Sequence, residues 1–272
     1  MHITITGNLG SGKSTICKIL EDKYGFEVYS TGKVQREIAR EMNVTTLEMN
    51  RLMCSDPKYD TMIDDTTAKI SRENRDRNII FDSRLAWHFV EQSFKVFLSV
   101  SLDVAAQRIM NDNRGKEEKY SSFEEAKELL AARAATEDER YKEMYKLEYF
   151  NYSNYNLIID STYCTPERIA SVIMKEAKDF YEIMKDNKGF PPGNQGINKF
   201  LISPARLYTD TISGADRTRL AERSEKLKNK DYIENKIQVR KDGEQYHIME
   251  GKDDVMAAII SNIPFVPIVI NF

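Results

Sequence analysis

The chain is poor in the residues that build most metal and redox sites. Three histidines (His2, His88, His247) and three cysteines (Cys17, Cys54, Cys164) are scattered through 272 residues with no CxxC pair. That excludes a zinc finger and a disulfide framework, and an odd, dispersed set of thiols fits a reducing compartment. Neither sign of charge dominates: 40 Lys and Arg against 43 Asp and Glu leave a net charge of −3. A protein that neutralises nucleic-acid phosphates needs a basic field, so no nucleic-acid partner is expected. No apolar run approaches a membrane span, and the first residues enter a strand with no basic-then-apolar leader. Neither anchor nor secretory leader is therefore expected, and the protein is read as cytoplasmic.

What is present is Gly7-Asn8-Leu9-Gly10-Ser11-Gly12-Lys13-Ser14, a complete phosphate-binding loop directly after the apolar run His2-Ile3-Thr4-Ile5-Thr6. Three glycines let the backbone curl with its N–H groups inward, and the helix that follows points its positive end at the same anion. Lys13 then reaches the β- and γ-phosphates, and the Ser14 hydroxyl is the expected Mg²⁺ ligand. Gly7, Asn8, Gly10, Ser11, Gly12, Lys13, Ser14 and Thr15 are read as the donor-nucleotide set, with ATP and Mg²⁺ as cofactors. The plainer alternative, a glycine-rich turn capping a helix, does not require the five fixed positions or the strand–loop–helix context.

Apolar Ile16, Cys17, Ile19 and Leu20 recur at helical spacing up to Gly25, and short apolar strands follow at 26–29, 78–81, 94–100 and 156–159. Helices are expected at 31–42, 46–54, 57–72, 102–111 and 121–146, and a last one from Thr165-Pro166. Five strands alternating with helices predict an α/β protein with a five-stranded parallel sheet flanked by helices and a ligand at the carboxyl ends of the strands. Residues 187–198 break every periodicity and read as a linker between a domain at 1–186 and a module at 199–272. In the second part, helices at 215–229 and 253–261 and strands at 236–240, 245–249 and 266–270 give a small α+β pattern. Fewer than eighty residues bury little surface, so this module is expected to lean on the first domain or on a second chain.

Ile79-Ile80-Phe81-Asp82 has the form of a Walker B strand whose acid holds Mg²⁺, although Asp82 could equally cap a helix. Phosphoryl transfer is accelerated by positioned cations, so the arginines are the informative set. Arg36 follows the second strand and Arg84 the third. Arg133 and Arg140 stand two turns apart on one helix face, either to close over the phosphate loop or as part of a solvated, charge-rich face.

The order of residues 7–14, then Ser30-Thr31-Gly32-(x3)-Arg36, Asp82-Ser83-Arg84-Leu85 and Arg133-(x2)-Thr136-Glu137-(x2)-Arg140-Tyr141 resembles the cytidylate kinase family, particularly its short archaeal-type branch. The likeness covers about residues 1–180. It implies a P-loop kinase fold in which Ser30, Thr31, Gly32, Arg36 and Arg84 hold an acceptor nucleoside monophosphate. Arg133 and Arg140 would contact the phosphates in transfer, with Lys13 and Asp82 in the catalytic set. Arg108 and Ser161, the latter within Asp160-Ser161-Thr162, would lie near the adenine. Bacterial members place an acid directly after a glycine–arginine pair to read the cytosine, whereas here Leu85 follows Ser83-Arg84. An arginine expected soon after Arg108-Ile109 is displaced, Asp112 standing near its place and Arg114 two residues on.

Ile237-Gln238-Val239-Arg240, the Gly243 turn, Tyr246-His247-Ile248-Met249-Glu250-Gly251 and Val255-Met256-Ala257-Ala258 resemble the ParB/sulfiredoxin-like fold. The motif reads Lys252-Asp253-Asp254, with an acid where relatives carry an arginine. An acid repels a triphosphate, which implies a degenerate module for dimerisation or a protein partner, with retained nucleotide binding as the lesser alternative. His247 reads as structural, and Trp87-His88 as packing behind Arg84. The leading expectation is ATP-dependent phosphorylation of CMP or dCMP. An ATP-binding regulator and a P-loop kinase of another small metabolite stand as alternatives.

Overall fold

Strand β1 (His2–Gly7) is buried at every position, Thr4 and Thr6 as fully as Ile3 and Ile5, and occupies the middle of a parallel array whose two faces are both covered. The computed structural model describes residues 1–44, 48–49, 52, 58–111, 120–186, 198–208, 217–227 and 230–271. After β1 come α1 (Lys13–Tyr24), β2 (Glu27–Ser30), α2 (Thr31–Glu41), α3 (Lys58–Glu73), β3 (Ile79–Asp82) and the short α4 (Ala86–Phe89). Next are β4 (Phe94–Ser99), α5 (Leu102–Asn111), α6 (Phe123–Tyr145), β5 (Leu157–Asp160) and α7 (Pro166–Asp186). The helix expected at 46–54 falls largely outside the described residues, as does the expected linker.

Local chemistry sets the helix ends. Gly25 stops α1 in the left-handed region at φ 70°. Ser122 caps α6 by accepting the Glu125 N–H at 3.1 Å, and the Glu125 carboxylate takes the Ser121 N–H at 2.6 Å.

The five expected strands are all parallel, in the order β2-β3-β1-β4-β5, but the sheet does not stop there. The expectation of a five-stranded parallel sheet is corrected to a mixed one, of ten strands among the described residues. Strand β6 (Lys199–Ile202) joins parallel to β5, pairing Leu157 with Lys199. Beyond it lie β10 (Val266–Asn271), β8 (Ile237–Asp242), β9 (Gln245–Glu250) and β7 (Leu207–Tyr208). Here β10 runs antiparallel to β6, and β9 antiparallel to β8. The physical reason is the exposed edge that β5 would otherwise leave: a strand edge of unpaired N–H and C=O groups is satisfied by the next strand available. Helices α8 (Arg217–Leu227) and α9 (Lys252–Ile260) complete the C-terminal part, within two residues of where the sequence puts them.

Strand periodicity sends Leu157 and Ile159 to one face and Ile158 to the other. On the first face Ile16 and Leu20 of α1 and Ile169, Ile173 and Phe180 of α7 pack against β1, β4 and β5. On the second, Phe97, Tyr155 and Ile158 share one cluster with Phe200, Ile237, Val255 and Val266. Residues on both sides of the expected linker thus contribute to one sheet and one core. His247 meets Tyr208 edge-on at 5.2 Å, and Trp87 packs against Tyr155 in the cluster that holds Leu85.

Candidate active site

The phosphate loop is built by two close backbone approaches. A Cβ at Gly7 would meet the Leu98 carbonyl oxygen of β4 at 2.3 Å, and one at Gly10 would meet Ala105 of α5 at 2.8 Å, so side chains are excluded there. The Asn8 N–H donates to Leu98 O at 3.0 Å, fixing the loop on the end of β4. Lys13 folds back over this curve, its Nζ donating to the carbonyls of Gly7 and Asn8, each at 3.2 Å. Burial, reinforced by the Arg84 charge, pushes the Lys13 ammonium down to about 7, against the pull of Asp82 and Glu137. A bound polyphosphate would replace those carbonyls and restore the full charge.

Beside the loop lies a cavity of about 270 Å³. Ser14 opens it on the α1 side, and Ser30, Thr31 and Gly32 come from the β2–α2 junction. Asp82 and Arg84 come from the end of β3, while Arg133 and Arg140 come down from α6. Eight residues that the sequence singled out therefore meet in one space, and the charge-rich helix is not merely a solvated face. Arg36 sits on α2, but its side chain lies outside the described residues, as do Asp112 and Arg114. The Ser30 hydroxyl donates to Asp82 Oδ2 at 3.3 Å and Thr31 Oγ1 reaches the Asp82 carbonyl at 3.5 Å, so Asp82 is held at the β2–α2 junction.

Arg84 is the hub. It donates from Nη1 to Gly7 O at 2.9 Å and from Nε to Glu137 Oε2 at 2.8 Å, with the two side chains only 17% and 19% exposed. The other Glu137 oxygen accepts Arg133 Nε at 3.2 Å. Burial opposes ionisation of Glu137, but Arg84 and Arg133 outweigh it and hold the carboxyl below its ordinary value. Glu137 thus presents a carboxylate to two guanidinium groups, the arrangement a phosphate would also satisfy. Arg140 lies 3.7 Å from Asp60 Oδ1, and its Nη2 donates to the Tyr141 hydroxyl at 3.3 Å.

The far wall carries residues the sequence reading missed. Asp60 and Asp64 stand one turn apart on α3 and face the cavity, and Tyr145 of α6 donates to Asp64 Oδ2 at 2.5 Å. An i, i+4 pair of acids within a readable helix was the available signal, but only the tertiary packing of α3 beneath α6 tells which face they take. Burial pushes the Asp64 carboxyl up to about 6; the Tyr145 hydrogen bond opposes this and the neighbouring Asp60 and Asp65 add to it. An acid whose folded value lies above its unfolded one supports the fold below about pH 4 and loses that support as the pH rises through the folded value. Asp64→Asn is therefore expected to raise Tm by about 2–4 °C at pH 7.5, for roughly 1 kcal/mol, and to leave it unchanged at pH 4, as measured by thermal unfolding.

On the opposite side of the loop a second cavity, about 330 Å³, is lined by Gly10, Gly12, Thr15, Arg108, Ser161 and Ile169. Arg108 of α5 donates to Gly10 O at 3.2 Å, to Ser161 Oγ at 3.1 Å and to Ser161 O at 2.6 Å, joining the phosphate loop to the loop after β5. Among the described residues no group of three or more His, Cys, Asp or Glu forms a metal cluster. The Ser14 hydroxyl and Asp82 carboxylate are hard oxygen donors of the kind Mg²⁺ accepts while keeping water and phosphate for the rest of its shell. Among the described residues, no helix is long and apolar enough to cross a membrane.

A parallel core in the order β2-β3-β1-β4-β5, a phosphate loop between β1 and α1, and a helix bearing two arginines over the adjoining cavity define a P-loop kinase-like α/β protein. The profile of the cytidylate kinase-like family matches residues 2–163, and the chain belongs to that family. A cytidylate kinase of Methanocella arvoryzae is 34% identical over 175 residues, which cover 64% of this chain and 95% of that protein. One of Methanococcoides burtonii is 36% identical over 162 residues, 60% of this chain and 88% of that protein. Among solved structures, an uncharacterized protein from Eubacterium ventriosum shares the fold with a TM-score of 0.50 at 13% identity, covering 65% of this chain and 98% of that one.

Proposed function

We propose that the protein transfers the γ-phosphoryl group of ATP to a nucleoside monophosphate, CMP or dCMP before others. The observation that carries this is the meeting of Ser14, Asp82, Arg84, Arg133 and Arg140 around one cavity at the mouth of the phosphate loop, in a chain of the cytidylate kinase-like family. In this reading residues 7–15 cradle the donor phosphates, and Arg108 with Ser161 borders the adenine. Ser30, Thr31, Gly32, Arg36 and Arg84 hold the acceptor. An acceptor phosphate oxygen attacks the γ-phosphorus, the bond to the bridging oxygen breaks, and ADP leaves, so that CMP and ATP become CDP and ADP. Lys13, Arg133 and Arg140 stabilise the charge spread over the transferred group. Mg²⁺ held by Ser14 and Asp82 would neutralise the donor phosphates when bound. Glu137 holds Arg84 and Arg133 through their Nε atoms, which leaves Nη donors of both for phosphate. The ParB/sulfiredoxin likeness of residues 199–272 belongs to this reading as a non-catalytic module: Asp254 is taken up locally by Arg223 at 2.7 Å and Asn235 at 3.2 Å.

ADP release with MgATP and each of CMP, dCMP, UMP, AMP and GMP tests the proposal. Rapid release with a cytidine nucleotide, well above the rate with the others, is expected. Tight ATP binding with no acceptor-dependent release would leave a nucleotide-binding regulator instead.

A further inference from the structure

The C-terminal strands do more than cover the edge of β5. Together with the first part of the chain they enclose a cavity of about 770 Å³, larger than either of the two beside the phosphate loop and of a size that takes small organic ligands. Its floor is the apolar face of β5, β6 and β10, with Ile158, Phe200 and Ile268. Tyr152 and Tyr246 both line it, and Lys241 Nζ lies over both rings, 5.9 and 5.8 Å from their centroids. The Arg206 guanidinium lies over Tyr246 at 5.7 Å, and Lys236 also lines the space.

The charges around this cavity are unevenly committed. Asp160 accepts from Arg206 at 3.4 Å, from Ser99 Oγ at 3.3 Å and from the Thr162 N–H at 3.1 Å. Glu244 accepts the Leu102 N–H with both oxygens, at 3.2 and 3.0 Å. Both acids are thus engaged, while among the described residues no ion pair joins Lys236 or Lys241 to a carboxylate. Three cations, Lys236, Lys241 and Arg206, outnumber the two carboxylates of the lining, and beside aromatic walls that excess favours a flat molecule that carries negative charge.

We propose that this cavity is a second ligand site, for a small planar organic anion, roofed by the β8–β9 hairpin and mechanically joined to the nucleotide site. The flat body lies against the apolar floor beside Tyr152, and Lys241 and Lys236 take the anionic group. Burial, and then repulsion from Arg206, holds Lys241 below its ordinary value against the pull of Glu244, and an anion there reverses that. Three contacts join the site to the donor side. Glu244 of the hairpin holds the first N–H of α5, the helix that carries Arg108. Arg206 donates to Thr162 Oγ1 at 2.9 Å, and that oxygen also accepts the Ser101 N–H at 3.1 Å, next to the Ser161 that Arg108 grips. Asn8 of the phosphate loop lines the cavity itself. A ligand that shifts the hairpin therefore shifts ATP affinity, and ATP shifts the ligand's affinity by the same factor.

The site is independent of the phosphoryl-transfer reading and can be tested apart from it. The full chain is titrated with 8-anilinonaphthalene-1-sulfonate, an aromatic anion with a flat naphthalene ring whose fluorescence rises on transfer to an apolar site. One saturable site is expected, present in the Lys13→Ala variant and under saturating ATP and CMP. Lys241→Glu is expected to weaken it about tenfold or more while the chain remains folded by circular dichroism, and Lys241→Arg to keep it. Bound dye is expected to change ATP affinity about threefold in the wild type and not in Lys241→Glu. Displacement of the dye mole for mole by ATP, indifference to Lys241→Glu, or the lack of a saturable site would each overturn the proposal.

Discussion

Lys13→Ala is expected to lower kcat for phosphoryl transfer by about 10³-fold, because one preorganised donor at the developing charge contributes on that order. The same substitution is expected to leave Tm at pH 7 unchanged or higher. The Lys13 ammonium is pushed down to about 7 and donates to the carbonyls of Gly7 and Asn8. A lysine whose folded value lies below its unfolded one costs the fold stability from about pH 10 downward, fully so below about pH 7, and alanine removes that cost. Steady-state kinetics and thermal unfolding on the same preparation separate the two effects. A variant with wild-type turnover would remove Lys13 from the chemistry.

Arg84→Ala is expected to act on both the acceptor and the fold. Losing a charge-assisted contact to the acceptor phosphate raises its KM by about 100-fold. The substitution also strands Glu137, which keeps Arg133 as a partner but is itself only 19% exposed. Breaking such a buried pair from one side costs about 3 kcal/mol, a fall in Tm of about 6–12 °C for a chain of this length. Donor affinity changes little if Arg84 serves the acceptor, and calorimetry with ATP alone and with CMP alone reads the two ligands separately. The double variant Arg84→Ala/Glu137→Ala, which leaves no stranded carboxylate, is expected to recover much of the lost Tm and none of the acceptor affinity.

What could be read from the sequence was what local rules encode. The phosphate loop has fixed glycine and lysine positions, and the strands at its sides are short apolar runs. Arg133 and Arg140 share a face at helical spacing, and all of these lie where expected. Pairing partners are not local. Strand β6 follows a stretch rich in glycine and proline and is only four residues long, so nothing in its own residues announces that it extends β5 and carries the sheet onward to ten strands. Glu137 was visible as part of a motif, yet its place between Arg84 and Arg133 depends on how α6 settles over β3. Asp60 and Asp64 were legible as helix residues but not as the wall of a cavity, since that follows from the packing of α3 against the helix above it.

The central claim is that the phosphate loop and the arginines of α6 act on one phosphoryl group and hand it to a nucleotide rather than to water. Incubation with CMP, Mg²⁺ and ATP labelled at the γ-phosphorus, followed by separation of the nucleotides, reads this directly. The account predicts label in the β-phosphate of CDP, in step with ADP formation. Label released only as inorganic phosphate, or retained in ATP that the protein binds but does not turn over, would contradict it.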